Sequence, residues 1–116
     1  MVVRMEWIFE TKDREGVIVR MSKDTYERHL PIHPEIADYI EEAELTVQDP
    51  ELIIRDDDNC YHHYRLGLGR GKYKKCYVRV LVNYRHRRRK KEGIVSSYWL
   101  SRTVGEGEVI WMKKLH

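Results

Sequence analysis

The sequence predicts an α+β domain in which two short helices pack on one face of a twisted, mainly antiparallel sheet. Three observations carry this. A hairpin-like pattern opens the chain, two helical segments punctuated by Pro31 and Pro34 follow, and from Glu51 onward apolar residues alternate with period two. A length of 116 residues argues for a single domain. A chain of this size buries roughly two-thirds of its unfolded surface, enough for one core. With 41% hydrophobic and 35% charged residues, the composition is that of a charge-rich globular protein rather than a disordered one.

The elements follow in order. "WIFE" (7–10) and "VIVRM" (17–21) flank the turn-like "KDREG" and read as a hairpin. Ser22 is placed to cap "KDTYERHL", with Asp24 in the first turn and Met21 set to staple onto Tyr26. Pro31 ends that helix near Leu30, because proline disfavours helical geometry in the residue before it. Pro34 opens the second helix, a position that tolerates proline. Ile36, Ile40, Ala43 and Val47 then step by 4, 3 and 4 along one buried stripe, and "QDP" (48–50) stops it. Five strand-like segments follow, at 51–56, 60–68, 73–84, 93–101 and 108–114. Turn chemistry separates them at 56–59, at Gly69-Arg70-Gly71 and at Gly105-Glu106-Gly107. In the longest segment Cys76, Val78, Val80 and Val82 share one face, and Lys75, Tyr77, Arg79 and Leu81 the other.

Net charge is only +3, but it is unevenly spread. Met1 to Asp58 holds 7 basic and 16 acidic residues; Asn59 to His116 holds 15 basic and 3 acidic. Between Asn59 and Lys91 twelve Lys and Arg occur without a single acid. Such asymmetry points to a polyanion, with an oppositely charged protein or the chain's own acidic helices as alternatives. No apolar run approaches the ~20 residues that span a bilayer. "MVVRMEWIFE" lacks the apolar stretch of a secretion signal, so a cytoplasmic location is expected and Cys60 and Cys76 are expected to stay reduced. No cofactor is expected: the cysteines lack zinc-site spacing, and "GLGRG" (67–71) lacks the helix that a nucleotide-binding loop needs.

"RHLPIHPEI" (28–36) places His29 and His33 four apart, the spacing of a helical metal pair. Pro31 and Pro34 break that helix, so no metal site is expected. What remains is a helix–helix corner with two imidazoles that titrate near neutrality, suited to acid–base chemistry or to capping the corner. Arg70, Lys72, Lys74 and Lys75 alternate with Tyr73 and Tyr77, and Arg87, Arg88, Arg89 and Lys90 crowd an expected loop at 84–93. Cations neutralise phosphates and rings stack on bases, so these are candidate nucleic-acid contacts; a lysine-protected edge strand and a solvated loop are the alternatives. In "GIVSSYWLS" simple alternation puts Ser96 and Tyr98 on one face and Ser97 and Trp99 on the other. Hydroxyls beside cations suit phosphate, each hydrogen bond to charge contributing about 1.5–3 kcal/mol.

Taken in order, "ERHLPIHPEIADYI", "DPELII", "GIVSSYWLS" and "VIWMKK" resemble the phage-associated nucleases of the barnase/EndoU/colicin/RelE-like superfamily, over roughly residues 22 to 114. The resemblance implies a compact barnase/RelE-like α+β domain with a four- to five-stranded sheet. It also implies a metal-independent endoribonuclease of the toxin or phage-effector kind, acting on tRNA or mRNA and silenced by an acidic antitoxin. On the matching positions, His29 and His33 fall at the helix corner, Ser96 replaces a usual Thr, Ser97 a usual Ala, and Tyr98 takes the aromatic position. The expected site is therefore His29 as base or acid, His33 as its partner or as a phosphate ligand, Arg79 or Lys75 as charge stabiliser, and Ser96 and Tyr98 as phosphate-positioning hydroxyls. A non-catalytic nucleic-acid module and a protein-interaction domain are the competing expectations.

Overall fold

Residues 6–114 are described by a computed structural model. β1 (Trp7–Lys12) and β2 (Ile18–Ser22) form the expected hairpin. Its turn is held by Asp13, whose carboxylate accepts the N–H groups of Glu15 and Val17 at 2.9 Å each. Helix α1 (Lys23–His29) starts at Ser22, whose hydroxyl accepts the Thr25 N–H at 3.1 Å, and it stops before Pro31. The second helix is split. A 3-10 turn (Pro34–Asp38) gives way at Tyr39 to α2 (Ile40–Gln48). The break turns the Tyr39 ring into the core, where its hydroxyl accepts the Arg70 N–H at 2.9 Å and Tyr73 packs edge-on at 6.1 Å. The predicted stripe survives the break: Ile36, Ala43 and Val47 have no exposed surface and Ile40 packs beside them.

The remaining strands are β3 (Leu52–Arg55), β4 (Tyr61–Arg65), β5 (Tyr77–Arg87), β6 (Lys90–Ser101) and β7 (Glu108–Met112). All seven belong to one sheet in the order β1-β2-β6-β5-β4-β3-β7. The α+β class holds, but the four- to five-stranded sheet does not: the hairpin extends the sheet, and β2 runs parallel to β6 at Val19–Gly93 and Arg20–Ile94. Gly93 permits that junction. A Cβ there would sit 2.9 Å from methyls of both Val19 and Val82, closer than side chains pack. The helices cover the face carrying Val78, Val80, Val82, Val95 and Tyr98, all fully buried. Among the described residues no helix is long and apolar enough to cross a membrane.

Several strand limits depart from expectation, and the segment expected over 60–68 spans only Tyr61–Arg65. The segment expected to start at Tyr73 begins at Tyr77, because Gly71–Tyr73 coil into a 3-10 turn and Gly69 lies against the Tyr73 carbonyl. The expected basic loop is instead the tip of a hairpin. β5 and β6 pair as far as Arg87 and Lys90, and Arg88 and Arg89 turn the chain at φ 52° and 64°. β4 last pairs with β5 at Val82 and β2 first meets β6 at Gly93. Among the described residues, the strands beyond these points form a ribbon paired only with itself.

His63 lies on the core face of β4, 1% exposed, with Nδ1–H donating to the Tyr61 carbonyl at 3.2 Å. Burial pushes its imidazole down to about 4, against contributions from the Tyr61 and Val80 backbone and Asp13 that raise it. Because the folded value lies below the unfolded ~6.5, the unfolded chain takes up the proton first. Stability should be intact above that value and fall as pH drops toward about 4, by roughly 3 kcal/mol at most. Urea melts at pH 7 and 4.5 check this: His63→Phe should lose much less on acidification than the wild type.

Candidate active site

The corner forms because Pro31 ends α1 and the chain folds straight back. The N–H groups of Ile32 and His33 return to the His29 carbonyl at 3.0 and 2.9 Å. Past Ile94 the outer edge of β6 has no strand partner among the described residues, and α1 and the 3-10 turn pack there instead. Both imidazoles consequently face β6. His29 Nδ1 lies 3.5 Å from the Ser97 hydroxyl, the long end of hydrogen-bond range. His33 stacks on Trp99, with ring centres 5.6 Å apart and planes 11° from parallel, while its Nδ1 is 3.3 Å from the Glu35 carboxylate.

Across the β5–β6 ladder Arg79 pairs with Trp99. Its guanidinium carbon is 4.8 Å from the Trp99 ring and 5.2 Å from that of Tyr64. Nε and Nη2 both donate to His62 Nδ1, at 3.1 and 3.0 Å. On the far side of that ring Nε2 is 2.7 Å from Asp56 Oδ2. The other Asp56 oxygen accepts the N–H groups of Asp58 and Cys60 at 2.9 and 3.0 Å, in a turn where Asn59 takes φ 63°. The His62 contact, then these backbone bonds, hold the Asp56 carboxyl below its usual range. The 102–107 connection closes over the group: the Gly105 N–H donates to the Tyr64 hydroxyl at 2.9 Å. A Cβ on Gly105 would lie 2.6 Å from Arg79 Nη2, so a larger residue there would push the guanidinium aside.

Cys60 is buried beside this chain of contacts, its thiol pushed up to about 11 chiefly by burial. Asp56, Cys60 and His62 bring donor atoms within 4.8 Å of one another, and the set has the chemistry of a zinc site. A metal on His62 Nε2 would leave the ring proton on Nδ1, facing the Arg79 donors. The two arrangements exclude each other.

The expected residues divide accordingly. His29, His33 and Arg79 gather around Ser97 and Trp99. Ser96 does not join them, because β6 carries a bulge between the pairs Leu81–Ser97 and Val82–Val95 that leaves Ser96 unpaired. Its hydroxyl lies 3.5 Å from the Leu81 carbonyl, and Ser97 takes the place beside His29. Tyr98 is also removed from the site: it has no exposed surface and its hydroxyl donates to the Ile36 carbonyl at 2.7 Å, beneath the 3-10 turn. Lys75 is exposed and precedes β5, so Arg79 is the cation beside Trp99.

Of the expected nucleic-acid contacts, Arg70 is committed to the protein, donating to Glu42 at 3.0 Å and the Asp38 carbonyl at 2.7 Å over the Tyr39 ring. Lys72, Lys74 and Lys75 line a groove with Arg102. Tyr77 packs edge-on against Tyr64 at 5.8 Å, in the aromatic wall beside Arg79. Arg87, Arg88, Arg89 and Lys90 are exposed at the ribbon tip, roughly 30 Å along β6 from Trp99. His62, Asp56, Tyr64 and Trp99 were not expected. The alternation in "CYHH" signals that His62 faces away from His63, but only the strand register brings it to Arg79. No protein-family model, curated protein or solved structure matches the chain.

Tyr98→Phe should cost about 0.5–1.5 kcal/mol by removing one buried hydrogen bond, since the Ile36 carbonyl still accepts the Tyr39 N–H at 3.1 Å. Denaturant melts read that loss.

Proposed function

We propose that this protein is a metal-independent endoribonuclease whose site is built from His29, His33, Ser97 and Arg79. The observation that supports the reading is that Trp99 touches both His33 and Arg79, while its neighbour Ser97 reaches His29. Two imidazoles and a guanidinium thus converge on two residues of one strand. RNA carries its own nucleophile. In this scheme His29 takes the 2′-hydroxyl proton as that oxygen bonds to phosphorus, and His33 protonates the departing 5′ oxygen as its bond to phosphorus breaks. The products are a 2′,3′-cyclic phosphate and a free 5′-hydroxyl. Each proton transfer typically contributes ~10²–10⁴-fold, and a preorganised cation such as Arg79 about 3–4 kcal/mol more on the phosphorane. Ser97, in place of Ser96, orients a phosphate oxygen.

RNA binding without cleavage is the second reading. The self-paired ribbon favours it, since its cations lie far from the histidine corner and contact phosphates without any chemistry. A labelled RNA pool incubated with EDTA separates the two. The nuclease reading expects cyclic-phosphate ends and at least a hundredfold loss of rate in both His29→Ala and His33→Ala. Intact RNA retained in a steeply salt-dependent complex would replace it with the binding reading.

A further inference from the structure

We propose that Asp56 and His62 are positioning residues that hold Arg79 with one of its two N–H forks open for a phosphodiester. A guanidinium has only donors, so the His62 nitrogen facing it must be the bare one. The ring proton therefore sits on Nε2, where Asp56 Oδ2 receives it at 2.7 Å. Asp56 cannot turn away, because the Asp58 and Cys60 N–H groups pin its other oxygen. The 56–60 turn thus fixes a carboxylate, the carboxylate fixes a tautomer, and the tautomer fixes the arginine.

His62 occupies the Nε–H and one Nη2–H, which make up one edge of the guanidinium. The two Nη1–H groups and the second Nη2–H have no protein partner among the described residues. The second Nη2–H and the Nη1–H parallel to it form the end edge, whose paired donors match two phosphate oxygens. Trp99 and Tyr64 grip the guanidinium and Gly105 closes against Nη2, so its plane is set before an anion arrives. Asp56 and Arg79 are separated by a neutral imidazole, and the cation's charge remains available. That the anion is RNA rests on the ribonuclease reading; that the fork receives a phosphodiester rests on this geometry alone.

The test uses the full chain. ¹⁵N NMR should show His62 protonated on Nε2 and bare on Nδ1. In Asp56→Asn the side-chain amide donates to Nε2 instead, and the proton moves to Nδ1. A non-cleavable 2′-deoxydinucleoside phosphate, followed through the Arg79 Nε–H resonance, should bind at least tenfold more weakly to Asp56→Asn, His62→Leu and Arg79→Lys. His62→Gln, which can accept from Arg79 and donate to Asp56, should restore most of what His62→Leu loses. If Asp56→Asn does not fold, Gly105→Ala, which crowds Nη2, must weaken binding in its place.

A wild type that cleaves no RNA but shows this pattern upholds the positioning role and sinks the nuclease reading. Cleavage with binding indifferent to Asp56 and His62 does the reverse. The proposal is also overturned if the dinucleotide leaves the Arg79 signal unmoved, or if added zinc takes Cys60 and His62 and releases Arg79.

Discussion

One extra residue in β6 decides which side chains meet. Side chains along a strand alternate, so Gly93, Val95, Ser97 and Trp99 would share a face if the strand were regular. The bulge at Ser96 switches the parity midway. Below it, Gly93 and Val95 point to the helices and allow β2 to dock. Above it, Tyr98 and Leu100 take over the core face, and Ser97 and Trp99 turn to the other. Without the switch, Trp99 would point into the valine core and leave Arg79 and His33 without their common wall. The register shift thus lets one strand serve the hairpin junction before the bulge and the site after it.

This explains what was and was not legible in the sequence. Features set by near neighbours were readable: the Ser22 cap, the stop at Pro31, the stripe from Ile36 to Val47, and the alternation of Val78, Val80 and Val82. The prolines also located the histidine corner correctly. A bulge in "VSSYW" has no comparable signature, because two serines are at home in a regular strand or out of it. Nor does a local pattern announce that residues 19 and 93 will pair in parallel. The ribbon is hidden in the sequence for an electrostatic reason. A run of cations repels itself and reads as loop, yet ladder bonds join backbones, and exposed arginines relax into water. The turn at Arg88 and Arg89 requires two left-handed residues, where Asn-Gly is the usual signal.

Folding also sorts the basic residues by their partners. Arg65 is bound to Asp49 at 2.9 Å, Arg70 to Glu42 at 3.0 Å and Arg85 to Glu92 at 2.7 Å, and Arg55 is paired with Glu108. Surface pairs of this kind contribute little to stability, typically under about 1 kcal/mol. Their effect is to withdraw cations from the pool a polyanion meets. Asp49 and Glu42 of the acidic half thus neutralise Arg65 and Arg70 of the basic half, whereas Arg85 is paired with Glu92 within the basic half. What stays outward is the groove of Lys72, Lys74, Lys75 and Arg102, and the ribbon tip.

Arg79 belongs to neither group, and its environment follows a different logic. A half-buried guanidinium loses water that it must replace with acceptors or π faces. A carboxylate in direct contact would do so most strongly, but it would also cancel the charge and fill a fork. Interposing His62 moves Asp56 to the far side of an imidazole. Coulomb attraction falls inversely with distance, so the pull on the cation is roughly halved relative to contact. Enough remains to orient the group, together with Trp99 and Tyr64, while the positive field is left for an incoming anion. A direct pair would have neutralised the cation and filled one of its forks. The indirect one makes sense where the charge has work to do on something the fold does not itself contain.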